Sequence, residues 1–488
     1  MRFRLPLLVT CGVILLGSPR LPAQDRAVAA LKKLGAKLTT DDAKPGKPVV
    51  AVSLAYRPVT DADLAPLKDL PTLESLDLRV TRTADGAADH LKGLTALKVL
   101  NLSGTRVGDA GLEKLKGLTA LEDLDLSATA VTNAGLAHLK GMTALRELNL
   151  GAPGVSDVGL AHVSGLVKLQ SLRLSGSQVK DAGLVHLKGL DKLQSLSLAS
   201  MRLTGAGLEH LKGLTDLREL DLAGDEIADD NLVHLAGLKG LQSLNLDLTP
   251  VGDAGLAHLK GLTGLRTLNL SHTAVTGTGF APLKGLTGLK SLLLYDSKVS
   301  DAGLESVGGL SGLESLNLLS TSVSDAGLAH LKGLTKLHTL VLRTTKVSDD
   351  GLAHLKGLPA LRDLNVAFTQ VTGQGLASLK DAKALQALDL SYNKLDEAAL
   401  VHLKELKGLQ TLLLDRARIN DAALAHVAGC AALESLSLNY NDVTDKGLLQ
   451  LKELTRLRAL SVGDTMVTDD GIKELKQALP KVKISKGP

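Results

Sequence analysis

The chain has 488 residues, 44% of them apolar yet only 1% aromatic, with no Trp and a formal charge of +4. An ordinary core of this size uses Phe, Tyr and Trp freely, so leucine must build whatever core forms here. Three of the positives, Arg2, Arg4 and Arg20, lie in the first 23 residues, which hold no acids, and the nearly neutral remainder argues against a nucleic-acid partner.

From the N-terminus, Arg2 and Arg4 precede an apolar run from Leu5 to Leu16, then Gly17, Ser18 and Pro19 before Leu21-Pro22-Ala23. That order predicts an export signal over residues 1–23, cleaved after Ala23, and hence a periplasmic, cell-envelope or extracellular protein with no transmembrane segment once the signal is gone. The alternatives are an uncleaved anchor, for which the run falls short of the roughly 20 residues a spanning helix needs, and a lipoprotein box at Cys11, where Thr10 stands in place of the expected small residue. Only Cys430 remains after cleavage, so no intramolecular disulfide can form. Residues 24–48 read as an N-terminal cap: one short amphipathic helix over 26–35, then a polar turn from Asp41 to Pro48.

From Leu73 the frame Leu-x-x-Leu-x-Leu recurs every 24 residues to Leu457, seventeen frames without an insertion, and a divergent frame precedes them at Val49. The unit reads approximately L-x-x-L-x-L-x-x-T-x-V-T-D-A-G-L-A-H-L-K-G-L-T-x, numbered here one to twenty-four. Leucines at four and six alternate as in a half-buried strand, and those at sixteen and nineteen have helical spacing, so each unit is predicted as strand, turn, helix. Strands are expected on the tripeptides centred on Leu76, Leu100 and each twenty-fourth residue to Leu460. Ser, Thr, Asp or Asn at twelve and Asp at thirteen read as helix-capping residues, and Lys and Gly at twenty and twenty-one as the stop. Thr at nine, replaced by Asn393 and Asn441, is placed to satisfy backbone groups that turn inward after the strand. A last helix over 472–479 and a closing strand with Val482 and Ile484 complete the chain.

This unit resembles the leucine-rich repeat family, over residues 49–480. The V-T-D-A-G-L segment is similar to repeats of proteins exported by bacteria and to the cysteine-containing repeats of F-box substrate receptors. The resemblance implies an α/β fold: a right-handed solenoid, or horseshoe, of about eighteen 24-residue units, with a parallel concave sheet, convex helices and residues 481–488 as C-terminal cap strand and tail. No F-box-like segment precedes the repeats and position nine carries Thr rather than Cys, which weighs against a ubiquitin-ligase role.

Eleven of thirteen histidines fall at position eighteen, His138 to His258 in an unbroken series. That position is about 200° from the core leucine at sixteen, so the row is predicted to be solvated rather than metal-binding. The Lys row at twenty and the Asp row at thirteen read as capping charges. No nucleophile, base and orienter can be named, and neither an enzymatic activity nor a cofactor is expected.

The expected concave surface displays positions three, five, seven and eight. Asp or Asn at five, from Asp77 to Asp389, reads as a ladder of hydrogen bonds between strands, with a polar-ligand site as the alternative. Outside the signal there are six aromatics; Phe280 takes a core position, whereas Tyr56, Tyr295, Phe368, Tyr392 and Tyr440 all fall at seven or eight. Four of these coincide with apolar replacements at Leu293, Leu319, Val341 and Leu413 and with Arg343 and Arg416, a mixture that favours interface hot spots. These ten residues, Leu293 to Tyr440, are the candidate surface for a protein or peptide ligand. Two other readings stay open: that the rings only cover the strand-to-turn bend, and that the protein is a structural envelope scaffold.

Overall fold

The computed structural model describes residues 22–487, which divide into two compact units, one running to Leu172 with Gly176–Gln178, the other made of Arg173–Ser175 and Val179 onward. Apart from Pro22 and Ala23, which open the first helix, the predicted export signal lies outside the described residues. Among the described residues no helix is long and apolar enough to cross a membrane.

The first unit begins with the helix Pro22–Lys33, earlier by four residues than the sequence suggests, with Ala27 and Leu31 buried. A strand not foreseen, Lys37–Thr40, then pairs antiparallel with Val49–Ser53 across the polar turn. It carries one apolar residue and borders the end of the sheet, so no apolar alternation betrays it. Parallel pairing continues through Ser75–Asp77, Val99–Asn101 and Asp123–Asp125 to Glu147–Asn149. In the second unit the strands run from Ser195–Ser197 in steps of twenty-four to Ala459–Ser461 and close on Lys483–Ser485. Each residue pairs with the one 24 positions on, as Leu292 does with Leu316. The central leucines are buried and their two neighbours are largely half-exposed, which is the period-two pattern made physical.

Most repeat helices are short and partly 3-10, while the last, expected over 472–479, runs as an α-helix over Asp469–Ala478. Asp325–Leu328 forms one α turn that continues as the 3-10 segment Ala329–Gly333, and Asp181–Leu187 is 3-10 throughout. The reason lies in the leucine spacing: positions sixteen, nineteen and twenty-two are three apart, the repeat of a 3-10 helix, and nearby glycines remove the propensity that would hold a longer α-helix. Glycine at twenty-one is not the left-handed stop expected of it, since only Gly189 in that row has a positive φ.

The reading of positions twelve and thirteen as helix caps also needs correction, because their main bonds run between units. Asp301 accepts from the backbone N of Ser324 at 2.7 Å and from its hydroxyl at 2.6 Å, and the same rung recurs from Asp325 to Ser348 and from Asp421 to Thr444. A side-chain bond to the unit's own helix is made by only some of the position-twelve residues, such as Thr132 and Thr468. Glycine at fifteen makes the approach possible: a Cβ on Gly327 would collide with Asp301 Oδ1, and one on Gly135 with Asp109 Oδ1. At Asp181, burial raises the pKa, but donors from Gly207, Thr204 and Gly205 outweigh it and hold the carboxyl below its ordinary value.

Position nine behaves as its chemistry suggests. Thr321 and Thr345 donate to the carbonyls of Leu318 and Leu342 at 2.6 Å, while Asn441 spans two units, accepting from Ala417 and Ile419 and donating to Leu414 O at 2.7 Å. Asp225 occupies the same slot and accepts from the corresponding amides of Met201 and Leu203 at 2.9 and 3.1 Å, but its buried Oδ2 has no hydrogen-bond partner. Burial, with some help from Asp181, pushes its pKa from 3.8 up to about 6 against the pull of those amides. Cys430 replaces a core leucine, and burial raises its thiol to about 11, which keeps it inert.

Two substitutions test this account. Gly327→Ala would gain about 1 kcal/mol from helix propensity alone, yet the collision with Asp301 should turn this into a net loss of roughly 1–2 kcal/mol in urea unfolding; Gly285→Ala, with open space at its Cβ, should be neutral or better. For Asp225 the folded state holds its proton more tightly than the unfolded state, so its penalty appears as pH rises from 3.8 and is complete above about 6. Asp225→Asn should therefore stabilise the protein by up to roughly 3 kcal/mol at neutral pH and by almost nothing at pH 4; a gain equal at both pH values would contradict the buried-acid account.

Candidate functional site

Position eight is the corner where strand gives way to turn, and its backbone is left-handed in every frame except that of Ala152. Some frames place glycine there, Gly104, Gly176 and Gly224, which adopt such a φ without cost. Phe368, Tyr392, Arg416 and Tyr440 adopt φ values of 54°, 61°, 49° and 59°, at about 1 kcal/mol or more each. Their amides are held by the following unit: Phe368 N donates to Ser391 O at 3.0 Å and Arg416 N to Asn439 O at 2.9 Å. A rigid backbone thus projects four large side chains in a row.

Those side chains form one continuous stack. Arg343 lies 4.7 Å from the Phe368 ring, which stacks on Tyr392 with centroids 4.0 Å apart and planes 13° from parallel. Arg416 follows, 5.8 Å from Tyr392 and 4.4 Å from Tyr440. Each of these contacts is worth about 0.5–1.5 kcal/mol, so the stack largely offsets the corner strain. Phe368 remains 43% exposed and Tyr440 36%.

On the neighbouring strands a shallow depression of about 170 Å³ opens over Ala387, walled by Val341 and Leu413 and edged by Asp363 and Asp389. The candidate residues thus sort into two adjoining features: Arg343, Phe368, Tyr392, Arg416 and Tyr440 along the corner, Val341 and Leu413 on the strands. Tyr295 belongs to neither; it meets His272 edge-on at 4.5 Å, and His272 Nδ1 lies 2.7 Å from Asp247. Leu293 and Leu319 are half-buried and line neither feature. Sequence reasoning missed His272, which lies outside the position-eighteen row, and Ala387, whose contribution is the absence of bulk.

The polar row at position five is not chiefly a ladder between strands. Asn101, Asp125, Asn269 and Asn317 each accept the backbone N–H two residues on in their own unit, ending the strand locally; rungs to the next strand occur at Asn245–Asp221 and Asn365–Asp389. The position-eighteen histidines are also less solvated than predicted: most are half-buried, and His330 and His354 alone are exposed. Units stacked in register flank each imidazole with its neighbours. Among the described residues no three His, Cys, Asp or Glu gather to hold a metal.

A family model described as Leucine Rich repeat matches residues 93–116 and 429–451. The comparison with curated proteins returned no match. Among solved structures, an LRR protein of Leptospira interrogans is 19% identical, over 82% of this chain and 98% of its own, with a TM-score of 0.51. The mouse RP105/MD-1 complex is 19% identical, over 90% of this chain and 81% of that one, with a TM-score of 0.55. At such identity the likeness is one of fold.

Because strain relief and lost stacking oppose one another at the corner, Phe368→Asn should alter unfolding free energy by no more than about 1 kcal/mol. A loss of 3 kcal/mol or more would instead make Phe368 a core residue of the bend. Added zinc should leave the melting temperature nearly unchanged, and a rise of several degrees would reveal a shared imidazole site.

Proposed function

The chain belongs to the leucine-rich repeat family, and we propose that it is an exported, non-catalytic binding protein whose second unit takes a protein or peptide partner on the corner stack and the adjoining strand face. One observation carries this reading. The left-handed corner is a demand of the fold that other units meet with residues ranging from Gly104 and Ala128 to Val80, Leu248 and His272, whereas here four consecutive units meet it with Phe, Tyr, Arg and Tyr in contact with one another. Nothing in the packing of the core asks for that bulk, because the leucines beneath are fully buried in units with small and large corners alike.

A preformed row of rings and guanidinium groups also suits recognition energetically. Rings held by neighbours lose little freedom on binding, and aromatic and arginine side chains dominate interface hot spots. The mouse neighbour was solved as a complex, which accords with such a role for the fold. An export signal at residues 1–23 would bring the surface to partners outside the cytoplasm.

The test begins with a photo-crosslinking amino acid at position 440, used in the native envelope to capture and identify the partner. Phe368→Ala and Tyr392→Ala should then weaken its affinity at least tenfold, whereas Asn101→Ala and Asn149→Ala should change it less than twofold. Equal, small effects at all four positions would leave the corner stack as a covering of the bend and favour a scaffold role.

A further inference from the structure

We propose that the ligand of this surface is an extended acidic peptide, whose carboxylates meet Arg343 and Arg416 and whose aliphatic side chain, lying between them in sequence, enters the depression over Ala387; this rests on the binding role argued above. Within the stack the ring faces of Phe368 and Tyr392 are already covered. Phe368 is covered by Arg343 and Tyr392, and Arg416 lies between Tyr392 and Tyr440. What remains for a ligand is a row of ring edges, which carry the positive part of the aromatic quadrupole, and guanidinium N–H groups. Neither arginine pairs with a carboxylate among the described residues. The nearest acid in sequence, Asp415, turns instead to the Ser437 hydroxyl at 2.6 Å and the Asn439 amide at 2.8 Å. Exposed Lys346, Lys394 and Arg418 add to the positive charge along the same turns.

The strand face has the opposite character. Asp363 and Asp389 edge the depression, bonded to Thr339 and Asn365, so a ligand carboxylate is repelled there and an apolar group is admitted. At about 170 Å³ the depression is below the roughly 300–1,000 Å³ of a small-molecule pocket and suits one aliphatic side chain. Spacing completes the match. Arg343 and Arg416 stand three units apart, roughly 14 Å along the backbone at one strand spacing per unit, and their guanidinium groups lean inward to 5.7 and 5.8 Å from the shared Tyr392 ring, within reach of carboxylates on flexible side chains at a similar spacing. Two acidic residues four apart in an extended peptide span about 13 Å and point to the same side, with the residue midway between them pointing there too.

The test is selection of random dodecapeptides displayed on phage against the full chain, followed by affinity measurements on the enriched peptides. The proposal expects two acidic residues four apart with Leu, Ile, Val or Met midway, at least tenfold loss with Arg343→Gln/Arg416→Gln, and at least fivefold loss with Ala387→Leu, which fills the depression. Enriched peptides without acids that still need Phe368 would keep the binding surface and overturn its acidic specificity. Peptides indifferent to the arginine and to the Phe368→Ala variants would overturn both. A heparin hexasaccharide that binds more tightly than any selected peptide, unaffected by Ala387→Leu, would assign the arginines to an acidic glycan instead; no enrichment over a blank surface would also overturn the proposal.

Discussion

The stack depends on how closely one unit can approach the next, and in most units that distance is set by a carboxylate and a missing methyl group. The aspartate at position thirteen reaches across to the amide and hydroxyl that open the following turn, as Asp301 does to Ser324, and the glycine at fifteen leaves room for it. The bond satisfies a backbone donor at a helix start, which short 3-10 turns have in excess. It is therefore worth more here than an exposed hydrogen bond, because without it the donor would be unpaired between packed units. Leucine burial supplies the driving force, but leucine is indifferent to register. The carboxylate rung and the strand pairing of residue i with i+24 are what make one register better than its neighbours.

With the core and the rungs settled at fixed positions, the remaining ones are free to differ between units. Corner position eight shows this most clearly, tolerating Gly, Ser, Asp, Thr, Tyr and Arg in one backbone conformation. A scaffold that fixes φ and ψ while leaving the side chain open resembles a rack more than a pocket. What distinguishes the second unit's surface is the choice of occupants on that rack and the way they stack face to face. Arg343, one position before the corner, joins the stack because Phe368 in the following unit brings a ring within its reach.

Most of the repeat was legible in the sequence because two periods, two and three, are written over a third of twenty-four. All seventeen expected tripeptide strands are present where Leu76 through Leu460 centre them. The aromatic corner was legible too, since rings are so rare in this chain that five at two positions stand out. What escaped reading were features that depend on a partner residue one unit away. Asp at thirteen has the right chemistry for a helix cap, and nothing local reveals that its stronger contacts lie 23 residues on. Tyr295, at position seven, and Phe368, at eight, both read as surface aromatics in sequence, but only the structure tells that one meets a histidine and the other a second ring. Strand Lys37–Thr40 was invisible because it borders the sheet with one apolar residue.

The rungs also govern how such a chain can change length. Where a carboxylate is present it bonds to a backbone N–H that the unit after it offers at the same place, as Asp301 does to Ser324, so removal or duplication of 24 residues keeps the register, while any other length breaks it at once. Arg343 sits in a unit joined to the next by such a rung, Asp349 to Thr372, and where Gly373 carries no carboxylate the strand pairing keeps the register. Gain or loss of a unit between Arg343 and Arg416 would move their charges apart or together by one strand spacing, about 4.8 Å, with the fold undisturbed. The distance between the two arginines can therefore change only in discrete steps, and a ligand matched to one count of units is mismatched to the next by more than a hydrogen bond can stretch.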